Sequence, residues 1–178
     1  MEAIMKKQFI VLTLLSLGFS ISQGRATMVM ERERDSLTVS VSSLQAFISP
    51  ATLQAAAEEA YKTAHQLRHT HETEAFKAMH IAATFNLPKA QCDLGAMLEN
   101  GIGCQSNPKN AFHYYQLAAQ QEYPSAENAL GRVYELGIGT PQDTDAALTW
   151  YGKAVEHGHE LATDNLERLL RETDEKKC

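Results

Sequence analysis

The sequence predicts an all-α fold made of a repeated helix–turn–helix unit, because the chain matches itself at a shift of 36 residues. Leu94-Gly95 and Gly101-Ile102-Gly103 recur as Leu130-Gly131 and Gly137-Ile138-Gly139. Later in the unit, Tyr114-Tyr115 and Ala118 return as Trp150-Tyr151 and Ala154. A unit of this size cannot bury its own apolar face and must stack on its neighbours, which favours a binding scaffold over an enzyme.

Residues 1–26 are predicted to be a secretory signal peptide. Met5-Lys6-Lys7 precedes an uncharged apolar run from Phe9 to Phe19, and small and polar residues follow. The run is shorter than the roughly 20 residues that a membrane helix needs. We therefore expect an exported protein, periplasmic or secreted, with no stable membrane insertion after cleavage. A retained membrane anchor stays open, since no clear cleavage site is visible. A start at Met5 instead of Met1 also stays open.

The composition argues against nucleic acid as a partner. The 178 residues, 44% of them apolar, suit one soluble domain. Removing residues 1–26 takes away Lys6, Lys7, Arg25 and Glu2, so 13 basic and 21 acidic residues remain and the net charge changes from −6 to −8. Binding to phosphates needs clustered basic residues, and the mature chain has no such cluster.

The first elements precede the clear repeats. Residues 27–49 are predicted to be a flexible segment, although Thr38 to Val41 are β-prone. Ser49-Pro50 offers an N-cap and a first-turn proline for a helix from Ala51 to about Arg68. A second helix is expected from about Glu72 to Phe85, because its alanine and phenylalanine pattern precedes that of the next unit by 36 residues.

Two full units are predicted at residues 88–123 and 124–159, each opened by a proline that suits the first helical turn. In the first helix of each unit, apolar residues at four-residue spacing line one core face. Gly95 and Gly131 lie in helix interiors, where glycine costs about 1 kcal/mol, so we expect a neighbouring helix to approach closely there. Gly101 and Gly137 suit left-handed helix ends. The core residues are Ala90, Leu94, Leu98, Ala126, Leu130 and Tyr134, and the N-caps of the second helices are Asn107 and Asp143.

The C-terminal segment is predicted to be a capping helix that closes a repeat domain spanning residues 50–171. Within His159 to Arg171, Ala162, Leu166 and Leu170 keep the core register. Glu167 replaces the interior glycine, which suits a helix with no further unit to admit. Residues 172–178 form a charged tail.

Three cysteines are an odd number for an exported protein. Cys92 is expected near the start of a helix that ends before Cys104, which separates them by well over 10 Å, whereas a disulfide needs Cα atoms within about 7 Å. These two are therefore not expected to pair. Cys178 either links two chains in a disulfide dimer or stays a free thiol like the others.

The glycines, alanines and aromatic residues together carry a family resemblance. The second unit combines Ala126, Leu130-Gly131, Gly137-x-Gly139, Trp150-Tyr151-x-Lys153-Ala154 and His157-Gly158-His159. This pattern resembles the Sel1-like repeat, a relative of the tetratricopeptide repeat. The first full unit departs from it at Leu98 and Cys104, and the unit before that lacks the glycine turn.

The resemblance implies a right-handed α/α superhelix, or solenoid, that acts as an adaptor for a protein or peptide partner. An exported acidic member with few repeats is similar to the bacterial kind. A cysteine-rich secreted branch is linked to β-lactams and peptidoglycan fragments, which makes a glycan- or β-lactam-interacting protein with weak hydrolase activity the alternative. The regular cysteine pairs of that branch are absent here. A structural spacer in an envelope complex is a third possibility.

No catalytic, cofactor or metal site is predicted. Gly101-x-Gly103-x-x-Ser106 closes a helix, whereas a dinucleotide-binding loop follows a strand and opens a helix. His69 with His71, and His157 with His159, lack further ligands at metal-binding spacing and are expected to be solvated loop residues. The aromatic pairs recur at a packing register, which favours core positions over a ligand platform.

The candidate partner surface is the side of the first helices opposite the core. Helical geometry assigns to it positions that differ between the units, where specificity of a scaffold resides. An ordinary solvated face is the alternative. These positions are Cys92, Ala96 and Glu99 in one unit and Asn128, Arg132 and Glu135 in the next.

Overall fold

A computed structural model describes residues 27–28, 39–40 and 50–175. The predicted signal peptide, Cys178 and most of the segment predicted to be flexible lie outside the described residues. The described residues divide into two units, with the boundary between Ala56 and Ala57. In the first, β1 (Thr27–Met28) pairs with β2 (Val39–Ser40) in an antiparallel arrangement.

Seven helices account for most of residues 50–175, and the fold is an all-α repeat. Their sequence order is also their packing order from α2 onward, because each helix packs against the next. No helix in the described part of the chain is both long and apolar enough to cross a membrane. The helices are α1 (Pro50–Leu67), α2 (Glu72–Thr84), α3 (Pro88–Asn100), α4 (Pro108–Ala119), α5 (Pro124–Leu136), α6 (Thr144–Glu156) and α7 (Glu160–Glu175).

The predicted helix ends are confirmed. Gly101 and Gly137 end α3 and α5 in the left-handed conformation, with φ of 71° and 70°. The following turns lead to Asn107 and Asp143, whose side chains accept hydrogen bonds from the backbone N–H groups of Asn110 and Ala146 at 3.1 and 2.9 Å. These bonds satisfy N–H groups that have no partner within the helix.

Alanines recur at buried positions of the helices. Three series recur at the 36-residue shift, and every member is at most 1% exposed. A small side chain at the same place in each unit lets the helix axes come close together, so the fold depends on the register of these alanines. The series are Ala75, Ala111 and Ala147; Ala82, Ala118 and Ala154; and Ala90, Ala126 and Ala162.

The predicted packing role of the interior glycines is confirmed. A Cβ atom at Gly95 would lie 2.8 Å from the ring of Tyr115, and one at Gly131 would lie 2.5 Å from the ring of Tyr151. Both distances are shorter than any ordinary carbon contact. Tyr115 and Tyr151 are 2% and 1% exposed, as expected for core positions.

The core register of the last helix differs from the prediction. Leu169 is buried, whereas Leu170 is 44% exposed. Position 170 corresponds to Leu98 and Tyr134 of the earlier units, which are buried and partly buried. Among the described residues no unit follows α7, so nothing there covers this row. Position 169 corresponds instead to Met97 and Val133, which are buried. Met97 lines a small cavity together with Ala75 and Met79 of the preceding helix α2.

Candidate interaction surface

The first helices of successive units, α3, α5 and α7, are joined by bonded side chains. Arg132 on α5 donates to both carboxylate oxygens of Glu99 on α3, at 2.7 and 2.6 Å. The Tyr115 hydroxyl donates to the same carboxylate at 2.9 Å. A bidentate, charge-assisted pair of this kind fixes the orientation of both side chains.

The same arrangement recurs one unit later. Arg168 on α7 contacts the two carboxylate oxygens of Glu135 at 2.8 and 2.9 Å, and the Tyr151 hydroxyl donates to Glu135 at 2.7 Å. Arg168 also contacts Glu172 at 3.0 Å. We call the side of α3, α5 and α7 that carries Glu99, Arg132, Glu135 and Arg168 the ladder surface, with Glu99–Arg132 and Glu135–Arg168 as its two rungs.

The interior glycines make the rungs possible. Each glycine leaves room for the ring of a tyrosine from the following helix. The hydroxyl of that tyrosine then reaches the glutamate that lies four residues after the glycine. Residues four apart lie on one helix face, so Gly95 and Glu99 are on the same side of α3. Packing in the core and pairing on the surface therefore depend on the same tyrosine.

The charge state of the rungs follows from their surroundings. Burial by itself would raise the pKa of Glu99, but the hydrogen bonds and charge of Arg132, with the Tyr115 hydroxyl, hold that pKa below its ordinary value. Hydrogen bonds from Arg168 lower the pKa of Glu135, against the opposing effect of burial. Both carboxylates are therefore ionised near neutral pH, and each is mostly paired away from solvent.

The structure brings most of the predicted partner residues together, but in contacts between units. Glu99, Arg132 and Glu135 belong to the rungs, and Asn128 accepts a 2.9 Å hydrogen bond from Asn165 of α7. Their binding role stays a prediction. The side chain of Arg132 is 39% exposed and that of Glu99 only 13%. The arginine is therefore the more accessible member of that rung.

Cys92 requires a correction. It was expected opposite the core, but it is buried, and burial raises the pKa of its thiol to about 12. It belongs to the cluster of buried apolar residues that forms the core. A thiol that is buried and protonated presents no contact to a partner. Within the described residues, Cys92 and Cys104 do not form a disulfide with each other, as their sequence separation predicted.

A second set of polar pairs joins the start of each first helix to the end of its own unit. Gln121 donates to Gln91 at 2.7 Å, and 36 residues later His157 Nδ1 lies 2.8 and 3.0 Å from the carboxylate oxygens of Glu127. Glu127 is 1% exposed. His157 was expected to be a solvated loop residue, and the structure instead makes it the partner of a buried carboxylate.

A further cluster, on α1 and α3, was missed by the sequence analysis. The Tyr61 hydroxyl donates to Asp93 at 2.9 Å, and His65 Nε2 lies 3.1 Å from the same carboxylate. Lys89 contacts Glu58 at 2.6 Å and lies over the Tyr61 ring. Helix α1 is thus joined to α3 by residues that differ from those of the rungs. Because these residues do not recur at the 36-residue shift, the repeat pattern could not predict the cluster. Within residues 50–175, no group of three or more histidine, cysteine or acidic side chains is arranged to hold a metal ion.

Comparison with known proteins agrees with this geometry. The Sel1 repeat family matches residues 88–123 and 124–159. A solved Sel1 repeat protein from Oxalobacter formigenes is similar with 30% identity and a TM-score of 0.57, over 66% of this chain and 96% of that one. The chain belongs to the Sel1-repeat family. No curated protein matches the sequence.

Two further solved structures share this Sel1-repeat fold. A protective antigen of uropathogenic Escherichia coli strains, which displays an SLR fold, is 27% identical with a TM-score of 0.61, over 65% of this chain and 26% of that one. Cysteine-rich protein B of Helicobacter pylori is 21% identical with a TM-score of 0.50, over 67% and 98% of the two chains. The second likeness shows the fold alone.

Proposed function

We propose that this protein is an exported Sel1-repeat scaffold that binds a protein or peptide through the ladder surface and has no catalytic activity. The observation that carries the proposal is the pair of rungs. They hold charged side chains in fixed positions across successive units while leaving Arg132 and Arg168 about 40% exposed. Sel1-repeat proteins are in general protein-interaction scaffolds, which supports the same function.

Export is supported by the basic start and apolar run of residues 1–26. Fractionation of the source organism, followed by mass spectrometry of the native protein, tests it. We expect the protein in the periplasm or the medium with its first residue near Thr27. A cytoplasmic protein that still begins at Met1 or Met5 would contradict export, and the scaffold function would be unaffected.

The scaffold function is tested by capturing partners with a variant that keeps the first rung but reverses its direction. In Glu99→Arg, Arg132→Glu, the two charges are exchanged, so the pair between α3 and α5 is retained. Exchanging Arg132 with Glu135 would instead place like charges in both rungs and weaken the fold. We expect a partner from the envelope or medium that the natural chain retains and the exchanged variant loses, with unchanged helical content by circular dichroism.

The matched control is Lys109→Glu, an exposed charge reversal on α4, away from the ladder surface. It is expected to retain the partner. If both variants hold the partner equally well, the ladder surface is not the binding site. The cell-envelope alternative is tested separately by incubating the purified protein with a β-lactam, for which we expect no hydrolysis.

A further inference from the structure

A groove of about 480 Å³ lies between the end of α5, the start of α6 and the C-terminal half of α7. Leu136, Leu148 and Leu169 give it an apolar lining. Leu136 is 59% exposed, although it is a large apolar residue. The equivalent residue in the preceding unit is Asn100, so this apolar exposure is specific to the last full unit.

In the earlier units, the equivalent place is filled by a glycine turn. The turn after α3 packs on the start of α2, where a Cβ at Gly103 would be 2.2 Å from the carbonyl oxygen of Glu72. The turn after α5 packs on the start of α4, where a Cβ at Gly139 would likewise be 2.2 Å from the carbonyl oxygen of Pro108. A residue with a side chain does not fit at either contact.

The next place in this series is the start of α6. Thr144 follows Glu72 and Pro108 at the 36-residue interval, and it lines the groove. Within residues 50–175 no glycine turn covers it, because α7 continues through Thr173, the position where α3 and α5 end at Gly101 and Gly137. The groove thus continues the established contact between units, without the turn that completes it elsewhere.

The charge of the groove adds a second requirement on its occupant. Glu135, Asp145 and Glu172 line it, and Arg168 is bonded to two of these three carboxylates. One arginine against three carboxylates leaves an excess of negative charge beside an apolar floor. A basic residue next to a small apolar turn is the complementary chemistry.

We propose that this groove binds a glycine–apolar–glycine turn, flanked by a lysine or arginine, that is presented by a second protein. The glycine approaches the backbone of Thr144, the apolar side chain contacts Leu136 and Leu148, and the basic residue pairs with Asp145 or Glu172. The inference rests on the proposed scaffold function and adds a second binding place, at the C-terminal end of the repeats.

The probe is a synthetic peptide, Lys-Gly-Ile-Gly-Thr-Pro-Lys, which places residues 137–141 of this chain between two lysines. It is titrated into the full chain, with backbone amide shifts followed by NMR and affinity measured by fluorescence anisotropy. We expect shifts concentrated at Leu136, Thr144 and Leu148. Replacing both glycines by alanine, or both lysines by glutamate, is expected to weaken the Kd at least tenfold.

The protein variants are Leu136→Asn, which copies the residue of the preceding unit, and Leu161→Asn as the matched control. Leu161 is 65% exposed and does not line the groove. We expect at least a tenfold weaker Kd for Leu136→Asn and no change for Leu161→Asn. Both positions are exposed, so neither variant is expected to unfold the chain, and thermal melts check this.

Several outcomes overturn the proposal. No shifts at millimolar peptide, equal effects of the two leucine variants, or shifts elsewhere show that the groove does not recognise the turn. Binding that occurs only after removal of residues 176–178 shows that the chain's own basic tail is the occupant. Concentration-dependent dimers that Leu136→Asn abolishes, without peptide binding, assign the groove to a second copy. In each case a partner captured through the ladder surface leaves the proposed function intact.

Discussion

At the scale of single residues, the space around each Cβ position and the backbone φ angle decide which side chains this fold accepts. Gly131 has no room for a methyl group, whereas Gly152 on α6 has nothing within 4 Å of the position of a Cβ. Three residues that precede the start of a first helix, Asn86, Glu122 and Gly158, share a left-handed conformation with φ of 62°, 57° and 84°. Only one of the three is a glycine.

Gly131→Ala is expected to destabilise the protein by about 1–3 kcal/mol, because the new methyl group overlaps the buried ring of Tyr151. The control Gly152→Ala is expected to stabilise it by up to about 1 kcal/mol, since alanine favours the helix and meets no neighbour. Urea unfolding followed by circular dichroism measures both. Equal signs for the two variants would contradict the packing role of Gly131.

Glu122→Gly is expected to stabilise the protein by about 1 kcal/mol, because a left-handed φ is unfavourable for a residue with a side chain. Glu122 is exposed, so little packing is lost. Glu167→Gly, at an exposed position inside α7, is the control and is expected to lower the free energy of unfolding by about 0.5–1 kcal/mol. Thermal melts measure both variants. A stabilised Glu122→Gly beside a destabilised Glu167→Gly would show that the backbone conformation at each position decides the effect of glycine.

At the scale of elements, polar pairs determine how the end of one unit is attached to the start of its first helix. The first full unit uses two neutral amides, Gln91 and Gln121, and the second uses the acid and imidazole of Glu127 and His157. The hydrogen bond to Glu127 raises the pKa of His157, helped by the charges of Glu127, Glu122 and Glu156 and opposed by burial. The two junctions therefore differ in their response to pH although their geometry is equivalent.

A histidine whose pKa is raised by folding stabilises the folded state fully below its unfolded pKa of about 6.5. That stabilisation is lost as the pH rises through the higher folded pKa. We therefore expect the free energy of unfolding to fall as the pH rises above about 6.5. The variant Glu127→Gln, His157→Gln copies the neutral pair of the first full unit and is expected to show a smaller slope.

Denaturant unfolding at several pH values measures the slopes. The difference between the two proteins isolates this pair, since His80, whose pKa is lowered by burial, is unchanged in both. Parallel stability–pH curves would show that His157 and Glu127 do not couple to folding. NMR titration of His157 provides the second check, with a midpoint above the ordinary value expected.

At the scale of the whole molecule, the most extensive packing among the described helices from α2 onward is between sequence neighbours. Stability in such a chain is the sum of unit and interface contributions, and it is lowest where one interface is missing. The middle helix α5 contains five buried residues and the terminal helix α7 contains two. The rung between Glu135 and Arg168 and the hydrogen bond between Asn128 and Asn165 are the polar contacts that attach α7 to α5.

Hydrogen exchange is expected to be slowest in α3 and α5 and faster in α7, because opening of α7 breaks the contacts of one side only. Arg168→Met is expected to increase exchange in α7 while α3 is unchanged, since it leaves the mostly buried carboxylate of Glu135 without its main partner. Exchange followed by mass spectrometry resolves the helices. A uniform increase along the chain would show that the units unfold as one.

The sequence alone determined the local features: the all-α class, the 36-residue unit, the glycine helix ends and the N-caps at Asn107 and Asp143. The helix ends and N-caps depend on residues within one or two helical turns of each other, and the length of the unit follows from the self-match of the sequence, so spacing is enough to predict them. It also identified Gly95 and Gly131 as close contacts, because a glycine repeated in a helix interior has a cost that only packing repays.

The tertiary structure decided what depends on the rotation of each helix against its neighbours. Arg132 pairs with Glu99 across 33 residues, Cys92 turns into the core, Leu169 rather than Leu170 is buried, and His157 reaches Glu127. A rotation of one residue, 100° on a helix, moves a side chain from one neighbour to another or from the core to solvent. Sequence periodicity predicts which side of a helix faces the core only to within about one residue, or 100°. Which residues meet between units depends on smaller rotations than that, so only the tertiary structure decides these contacts.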